Sequence, residues 1–320
     1  MDNWNGNRYY SLDTYLKETF HQKIYKLSLN AGMTCPNRDG TIGTGGCIFC
    51  SEGGSGDFAS NAQLSITEQI EVAKTLVCNK SKSNHYIAYF QAYTNTYAPY
   101  EYLERVYMEA ISHPDIVALS IATRPDCLSE PVLNLLDRCN QIKPVWIELG
   151  LQTCHDETAT YIHRGYPLTT FDQAVHQLNS RNLSVIVHII LGLPKETREH
   201  IRNTIRYLNT KSINGIKLQL LHVLKHTQLE TLYLGNPFDF HMMELETYID
   251  TVIECLEHLR PDIVIHRITG DGPKNLLIAP LWSSNKRLVL NTIHQQLARK
   301  GTCQGKAFVT KGEPTCKRKL

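Results

Sequence analysis

The sequence predicts an α/β protein whose parallel strands form a partial or nearly closed (β/α) barrel of the TIM type. Short runs rich in β-branched residues recur along the chain, and several start about 30 residues apart, the length of one β-α-β unit. Amphipathic segments with helical spacing lie between these runs. Buried strands that alternate with amphipathic helices favour a parallel sheet with helices packed against it.

The strands are predicted where the β-branched runs occur. They cover 24–30, 86–92, 116–122, 145–151, 184–191, 215–221 and 263–267.

Helices are predicted between the strands, where apolar residues recur every three or four positions. In 65–77 the apolar residues Ile66, Ile70 and Ala73 lie on one helical face, and Ser65 can cap the start. The same pattern occurs in 128–136, 171–178, 201–208 and 245–259. No Gly/Ser linker divides this core. We therefore predict an N-terminal extension (1–22), a barrel core (23–282) and a C-terminal helix with a basic tail (283–320).

Polar residues and glycines follow the predicted strands. In parallel α/β barrels the carboxyl ends of the strands converge on the active site. These residues are therefore candidates for one shared site: Cys35, 93–95, 124–126, Gln152, 193–196, His222 and 270–272.

Composition fits a globular protein with a sizeable core, because 42% of the 320 residues are hydrophobic and 20% are charged. No apolar run reaches the roughly 18 residues that a bilayer span needs. The N-terminus also lacks the basic-then-apolar layout of a secretory signal. We expect a soluble, cytoplasmic protein with no membrane partner.

Charge is unevenly distributed along the chain. From Arg299 onward there are seven Lys or Arg residues and one Glu, a net charge of +6, whereas the whole chain carries only +2. A basic tail on an acidic body suggests a polyanionic partner such as nucleic acid, although such tails also occur as disordered, solubilising segments.

Three of the ten cysteines lie in one glycine-rich loop directly after the first predicted strand: Cys35, Cys47 and Cys50, with C-x11-C-x2-C spacing. Thiolates two residues apart can ligate one metal centre. A [4Fe-4S] cluster normally takes four thiolates, so three leave one iron open to a substrate or cofactor. The alternatives are a structural zinc site with a histidine such as His21 as fourth ligand, or three unrelated buried thiols.

The cysteine loop resembles that of the radical S-adenosylmethionine (SAM) superfamily, and Phe49 occupies the aromatic position before its last cysteine. The gap between the first two cysteines is longer than the usual three residues, as in the branch that contains the elongator catalytic subunit. The segments YFQAYTNTYAP (89–99), SIATRPDCL (120–128), ELGLQT (148–153) and HIILGLPKET (188–197) also resemble this branch. Together they are similar to its bacterial members of the YtqA/YhcC type.

This resemblance implies a barrel of the radical SAM kind that binds a [4Fe-4S] cluster on Cys35, Cys47 and Cys50. It also implies SAM, which the reduced cluster cleaves to a 5′-deoxyadenosyl radical, and an electron donor such as flavodoxin or ferredoxin. The residues implied to contact SAM are Phe49, Tyr93, Thr94, Arg124, Glu148, Gln152, Gly192, Leu193 and Pro194.

Individual roles follow from the same resemblance. Tyr93 and Thr94 are expected near the amino group of SAM, and Arg124 is expected to pair with its carboxylate. Glu148 is expected at the ribose, although a carboxylate in an apolar strand could instead pair with Arg124. His188 is expected to be a core histidine.

For the substrate, the resemblance implies the wobble uridine of tRNA, with the carboxymethylaminomethyl side chain shortened to aminomethyl. The basic tail would then engage tRNA phosphates. The chain is expected to be too short for the acetyltransferase domain of the elongator relative. Two alternatives stay open: a radical SAM enzyme acting on a small molecule or a protein, and a zinc-stabilised RNA-binding protein without catalysis.

Overall fold

The structure is a computed structural model that describes residues 4, 6–54, 56–77, 83–235, 241–270 and 272–309. Asp271, part of the predicted strand-end cluster, and residues 310–320 of the predicted basic tail lie outside the described residues.

Seven parallel strands form the main sheet of the described residues, in the order β1-β2-β3-β4-β5-β6-β8. A separate antiparallel pair is formed by β7 and β9. The strands are β1 (Tyr25–Leu29), β2 (Tyr86–Phe90), β3 (Ile116–Thr123), β4 (Val145–Gln152), β5 (Ser184–Leu191), β6 (Gly215–Leu220), β7 (Val223–Leu224), β8 (Val264–Arg267) and β9 (Leu277–Ala279).

Helices connect these strands in the order that a β-α-β architecture requires. They are α1 (Leu12–Phe20), α2 (Ile66–Val77), α3 (Tyr100–Ser112), α4 (Glu130–Asn140), α5 (Asp156–Tyr161), α6 (Leu168–Asn179), α7 (Arg198–Asn209), α8 (Gln228–Gly235), α9 (Leu245–His258) and α10 (Lys286–Arg299). Across the ranges that the structure describes, none of them is long and apolar enough to cross a membrane.

The core lies between the outer face of the sheet and the helices. Helix α7 shows how the sequence builds this layer: Thr197 caps its start in a reciprocal pair with His200, and Ile201, Ile205 and Leu208 are buried on one face. All five residues of β2 are buried, as expected for an inner strand of a covered parallel sheet. The predicted α/β architecture is confirmed, because the sheet curls into a half-barrel.

The half-barrel is open between β1 and β8, which do not pair with each other in the described residues. The N-terminal segment lies at this edge. The Ile265 backbone N–H of β8 donates to the Tyr10 carbonyl at 2.7 Å, and Ser11 forms a parallel bridge with Ile265. The ring of Tyr15 in α1 packs edge-on against Trp146 at 5.9 Å. The predicted N-terminal extension therefore closes part of the barrel.

Residues 300–309, which belong to the predicted tail, pack on the body of the protein. The Gly305 N–H donates to the Leu256 carbonyl at 3.0 Å, and the Ala307 N–H donates to the Glu257 carbonyl at 2.8 Å. The Gln304 side chain donates to the carbonyls of Arg260 and Ile263, both at 2.8 Å. This stretch is therefore held by α9 and the residues that follow it.

The sequence analysis missed six of these elements: α1, α3, α5, α8, β7 and β9. The strands β7 and β9 contain two and three residues, too few for any periodicity to show.

Candidate active site

The site lies at the carboxyl ends of the parallel strands. One cavity there is lined by nine of the predicted residues: Cys35, Cys47, Phe49, Cys50, Tyr93, Thr94, Arg124, Glu148 and Gln152. Topology explains this convergence, because all seven strands of the main sheet are parallel and their carboxyl ends meet at one edge.

The cysteine loop is shaped by backbone hydrogen bonds. The Arg38 N–H donates to the Cys35 carbonyl at 2.8 Å, the Cys50 N–H donates to the Cys47 carbonyl at 3.0 Å, and the Gly46 N–H donates to the Asn37 carbonyl at 2.8 Å. Gly46 has a φ of +82°, and a Cβ there would lie 2.8 Å from Nε of Arg38. Only glycine allows the chain to turn at this point.

All three loop cysteines are free thiols, each partly buried. Cys47 and Cys50 share a hydrogen bond, which lowers the pKa of Cys47 and raises the pKa of Cys50 well above its usual value. The positive charge of Arg124 adds to the lowering at Cys47. A thiol with a lowered pKa is more readily the thiolate that binds metal.

The three loop thiols line one cavity, and Cys47 and Cys50 share a hydrogen bond there. Among the described residues that line this cavity, the other side chains of a ligand type are Glu148 and His188, which hydrogen-bond to each other. Three thiolates without a fourth fit a [4Fe-4S] cluster that leaves one iron open.

His21 is also far from the loop. It follows α1 and precedes β1, whereas Cys35 comes after the carboxyl end of β1. The five residues of β1, at about 3.3 Å each, place the two at opposite ends of a strand. The zinc alternative with His21 as fourth ligand is therefore wrong.

Asn37 is a loop residue that the sequence analysis missed. Its side-chain N–H groups donate to the His163 carbonyl at 2.6 Å and approach Sγ of Cys47 at 3.7 Å. Hydrogen bonds to cysteine sulfur tune the reduction potential of iron–sulfur clusters. Its position two residues after Cys35 was the available signal.

Arg124 lies at the carboxyl end of β3 and is nearly buried. Its guanidinium makes a bidentate pair with Asp126, at 2.9 and 2.7 Å, and donates to the Arg164 carbonyl at 2.9 Å. The pKa of Arg124 is raised, because the attraction of Asp126 outweighs the effect of burial. Pairing of Arg124 with a SAM carboxylate stays a prediction. It would have to use guanidinium N–H groups that do not already donate to Asp126 or to the Arg164 carbonyl.

Tyr93 and Thr94 are held by backbone contacts from both sides. The Tyr93 N–H donates to the Gly54 carbonyl at 2.8 Å, and the Thr94 N–H donates to the Thr34 carbonyl at 3.1 Å. Tyr93 has a φ of +60°, and its ring covers Gly54 so closely that a Cβ there would lie 2.2 Å from it. The pair is thus fixed against the loop around the cysteines.

The predicted SAM contacts that follow β5 do not line this cavity. Gly192, Leu193 and Pro194 are absent from the described residues that line this cavity. Leu193 is buried in a small hydrophobic cluster that also contains Ile48 and borders Phe49. In this structure the segment packs against the cysteine loop through Leu193 and Ile48, because β5 ends beside that loop.

Glu148 has partners that the sequence analysis missed. Oε1 accepts hydrogen bonds from Lys26 at 2.6 Å and Ser120 at 2.7 Å, while Oε2 accepts them from His188 at 2.7 Å and from Lys217. The alternative pairing with Arg124 is therefore wrong. The carboxylate side chain is fully buried and accepts four protein hydrogen bonds, so Glu148 is the centre of a buried charge network. Glu148 also lines the first cavity, and its contact with the ribose stays a prediction.

The network perturbs the pKa values of its members. Burial alone would raise the pKa of Glu148, but the charges of Lys217 and Lys26 hold it well below the usual range. Burial lowers the pKa of Lys217 to about 7, helped by Lys26 and Arg267. Burial also lowers the pKa of His188 to about 4, so its ring is neutral at pH 7 and donates from Nε2 to Glu148. Both ring nitrogens of His188 have hydrogen-bond partners, as expected of a core histidine, but the side chain also lines both cavities of the site.

A second cavity adjoins the first and shares part of its wall. The shared residues are Phe49, Gln91, Gln152, His188, Gln219 and Arg267. Gln152 reaches this position because β4 has a register shift between Gly150 and Gln152, with a φ of +66° at Gln152. The second cavity extends to His222 and to Gly270 and Gly272, as the sequence predicted for these strand ends.

In a comparison with known protein families, two family models match this chain. Residues 37–208 match the Radical SAM superfamily, and residues 213–299 match the Radical_SAM C-terminal domain. The protein YtqA of Bacillus subtilis is 42% identical over 301 residues, which cover 94% of this chain and 93% of YtqA.

Two archaeal proteins resemble this chain either over a smaller part of the sequence or in fold alone. A tRNA uridine(34) acetyltransferase of Methanocaldococcus infernus is 25% identical over 173 residues, covering 53% of this chain and 31% of that protein. The structure of Elp3 from the same organism, with an N-terminal deletion, superposes with a TM-score of 0.68 at 17% identity. It covers 88% of this chain and 64% of that one.

The first prediction concerns the thiols. We expect Cys47→Ala to lose most of its iron after anaerobic reconstitution, whereas the wild-type chain holds about four irons. Cys303→Ala is the matched control, because Cys303 is also a partly buried free thiol but lies in the segment after α10. Iron and sulfide content and visible absorbance provide the measurement. A wild-type protein that takes up one zinc ion and no iron would contradict the prediction.

The second prediction concerns Glu148. Glu148→Gln leaves Lys26 and Lys217 without their buried counter-charge, so we expect a loss of about 3–5 kcal/mol in the free energy of unfolding. Glu104→Gln removes an exposed pair with Arg138 and should cost at most about 1 kcal/mol. Urea unfolding near pH 7 measures both variants.

The pH dependence of stability should also differ between wild type and Glu148→Gln. The folded-state pKa of Glu148 is lowered, so its contribution is full above the ordinary pKa of glutamate and is lost as the pH falls through the folded value. Equal costs for Glu148→Gln and Glu104→Gln, with parallel pH profiles, would show that the network does not stabilise the barrel.

Proposed function

The chain belongs to the radical SAM superfamily, and from that premise we propose that this radical SAM enzyme modifies the wobble uridine of tRNA. In the proposed reaction, the N–CH2 carbon of the carboxymethyl part of a 5-carboxymethylaminomethyl group loses a hydrogen atom and then one electron, which would return to the cluster, so that an imine forms. Water then cleaves the C–N bond, the carboxymethyl part leaves as glyoxylate, and aminomethyl remains on the uridine. One observation carries the proposal: a second cavity, whose largely polar wall includes Arg267 and Asp57, adjoins the cluster and SAM cavity and shares part of its wall.

The cofactors are a [4Fe-4S] cluster and SAM, and the donor set of the first cavity fits them. Cys35, Cys47 and Cys50 would hold the cluster, and their three thiolates leave one iron for SAM. When bound, cluster and SAM together supply a radical that abstracts a hydrogen atom from the substrate. We propose that a flavodoxin or ferredoxin delivers the electron that this chemistry needs.

The protein's own residues position these groups and exclude water. Tyr93 and Thr94 form one wall next to the cysteine loop, and Arg124 brings a positive charge beside the thiols. Gln152 and Phe49 line both cavities and therefore separate the SAM space from the substrate space. Enzymes that use such cofactors contribute chiefly binding, orientation and protection of the reactive group.

The second cavity suits a nucleobase. Apolar surface from Phe49, Ile190 and Leu224 faces polar groups from Gln219. The side chain of Phe58 is 58% exposed while lining this cavity, so an aromatic ring stands at its entrance. Aromatic rings are the surfaces on which proteins stack unpaired RNA bases.

Exposed lysines lie in the loops at this end of the barrel. Lys195 follows β5, Lys225 follows β7, and Lys274 follows β8, all in loops at the carboxyl ends of the strands. Leu224 and Pro273, which line the second cavity, directly precede two of them. Lysines in such positions can neutralise the phosphates on either side of a base held in the cavity.

The relatives support tRNA over other substrates. The archaeal protein that matches 173 residues of this chain is named for uridine 34 of tRNA, the wobble position. A small-molecule or protein substrate is the second candidate, since the same core could act on either. A zinc-stabilised RNA-binding protein without catalysis is disfavoured by the match of residues 37–208 to the Radical SAM superfamily.

The third prediction tests the substrate. Anaerobically reconstituted enzyme with SAM and a reductant should convert a tRNA anticodon hairpin bearing 5-carboxymethylaminomethyl uridine to the aminomethyl form, with 5′-deoxyadenosine as a co-product. Nucleoside mass spectrometry measures both products, and Cys47→Ala should form neither. Deoxyadenosine without any change in the uridine, in this assay and in tRNA from a deletion strain, would refute the tRNA substrate.

The fourth prediction tests the basic tail. A chain that ends at Val309 keeps the packed residues 300–309 and loses Lys311, Lys317, Arg318 and Lys319 together with one Glu. We expect weaker tRNA binding at low salt, with the slope of log K against log salt reduced by about 0.7–0.9 per lost phosphate contact.

Deoxyadenosine formation from SAM in the absence of tRNA is the control for the truncation and should stay unchanged. If affinity and salt slope equal those of the full chain, the tail does not bind tRNA.

A further inference from the structure

A row of basic side chains crosses three neighbouring strands beneath the site. His188 of β5 lies opposite Lys217 of β6, and Lys217 lies opposite Arg267 of β8 in the register of the sheet. All three side chains line the first cavity. They come from positions 29 and 50 residues apart in the sequence, so only the parallel pairing of these strands brings them together.

The charges in this row are not balanced. Within the described residues, Glu148 is the only carboxylate among the side chains that line the first cavity. It pairs with both Lys26 and Lys217. Arg267 adds a third positive charge, which lowers the pKa values of both lysines. The floor of the cavity therefore has a surplus of positive charge.

Arg267 is the cation of this group without a protein acceptor. Over the residues that the structure describes, its guanidinium makes no hydrogen bond and no ion pair, whereas Lys26 and Lys217 each have at least two hydrogen-bond partners. Arg267 is only partly buried and faces space on two sides, since it lines both cavities. A guanidinium in such a place is ready for a planar anion.

We propose that Arg267 binds the carboxylate of the substrate side chain and thereby selects a uridine that carries a carboxymethylamino group. This inference rests on the proposed function and names the group that recognises the substrate. The amide of Gln219, which donates to Nδ1 of His188 at 3.2 Å, lies beside Arg267 in the shared wall. A substrate carboxylate bound at this shared wall would lie between the first cavity, proposed for SAM, and the second cavity, proposed for the base.

The substrate carboxylate, and not that of SAM, is the ligand assigned to Arg267. Arg124 and the three thiols line the first cavity alone, whereas Arg267 also lines the second. An anion on the second-cavity side of Arg267 is separated from the cysteine loop by the shared wall. The selectivity of the site for a carboxylate is therefore carried by β8, and the cofactor is held by the loops after β1 to β4.

A binding experiment tests this role without turnover. Fluorescence anisotropy with reconstituted protein and SAM, in the absence of reductant, compares two labelled hairpins that differ only in the wobble side chain: carboxymethylaminomethyl or methylaminomethyl uridine. We expect wild type to bind the first at least tenfold more tightly. Arg267→Met should abolish this preference while binding the second hairpin as wild type does, and Arg267→Lys should restore part of it.

Arg287→Met is the matched control, because Arg287 is exposed on α10 and its loss removes the same charge. This variant should keep the preference. SAM affinity, measured by equilibrium dialysis, should be equal in wild type and Arg267→Met. If Arg267→Met keeps the preference or loses SAM binding instead, Arg267 does not hold the substrate carboxylate.

The outcomes separate this inference from the proposed function. A wild-type enzyme that converts the carboxymethylaminomethyl hairpin but binds both hairpins equally refutes carboxylate recognition by Arg267 and leaves the function standing. A wild-type enzyme that prefers the carboxylate hairpin through Arg267 yet never forms aminomethyl uridine supports the recognition site and refutes the proposed conversion.

Discussion

The buried carboxylate of Glu148 is the interaction on which the interior of the half-barrel depends. It accepts hydrogen bonds from β1, β3, β5 and β6, through Lys26, Ser120, His188 and Lys217. A barrel interior filled with apolar side chains would be simpler to stabilise, because burying charges costs free energy unless they are paired. This protein instead has a charged floor beneath its site, formed by Glu148 together with Lys26, His188 and Lys217. One glutamate links four strands and holds two lysines that would otherwise repel each other.

The charged floor and the cysteine loop divide the work of the site. Above β1, the loop brings three thiols to the wall of one cavity, and Arg124 and Arg38 add positive charge beside them. Below, Arg267 supplies positive charge toward the second cavity, whose wall also contains Asp57. The two cavities share a wall that contains Gln152 and His188. Reactive cofactor and substrate can therefore meet across this wall while each is held by its own set of residues.

Much of the site was predictable from the sequence because its residues carry local signals. The cysteines stand out by spacing, and Tyr93, Thr94, Arg124 and Gln152 directly follow or end apolar strands. Such positions converge in any parallel barrel. Lys26, Lys217 and Arg267 carried no such signal, since a basic residue within a strand resembles one that faces solvent. The segment 192–194 also follows a strand, yet it packs behind the cysteine loop, because β5 ends beside Ile48.

The sequence by itself determined the parallel α/β architecture, the seven main strands and the three-cysteine loop, because these depend on periodicity and on spacing within short segments. Tertiary structure decided which charges meet. The partners of Glu148 lie 28 to 122 residues away along the chain, and strand register alone brings them within hydrogen-bonding distance. It also decided that residues 300–309 pack on α9 and that Arg267, which has no hydrogen-bond or ion-pair partner among the described residues, lines two cavities. Long-range pairing of this kind leaves no local pattern, since it depends on the order and curvature of strands that are distant in sequence.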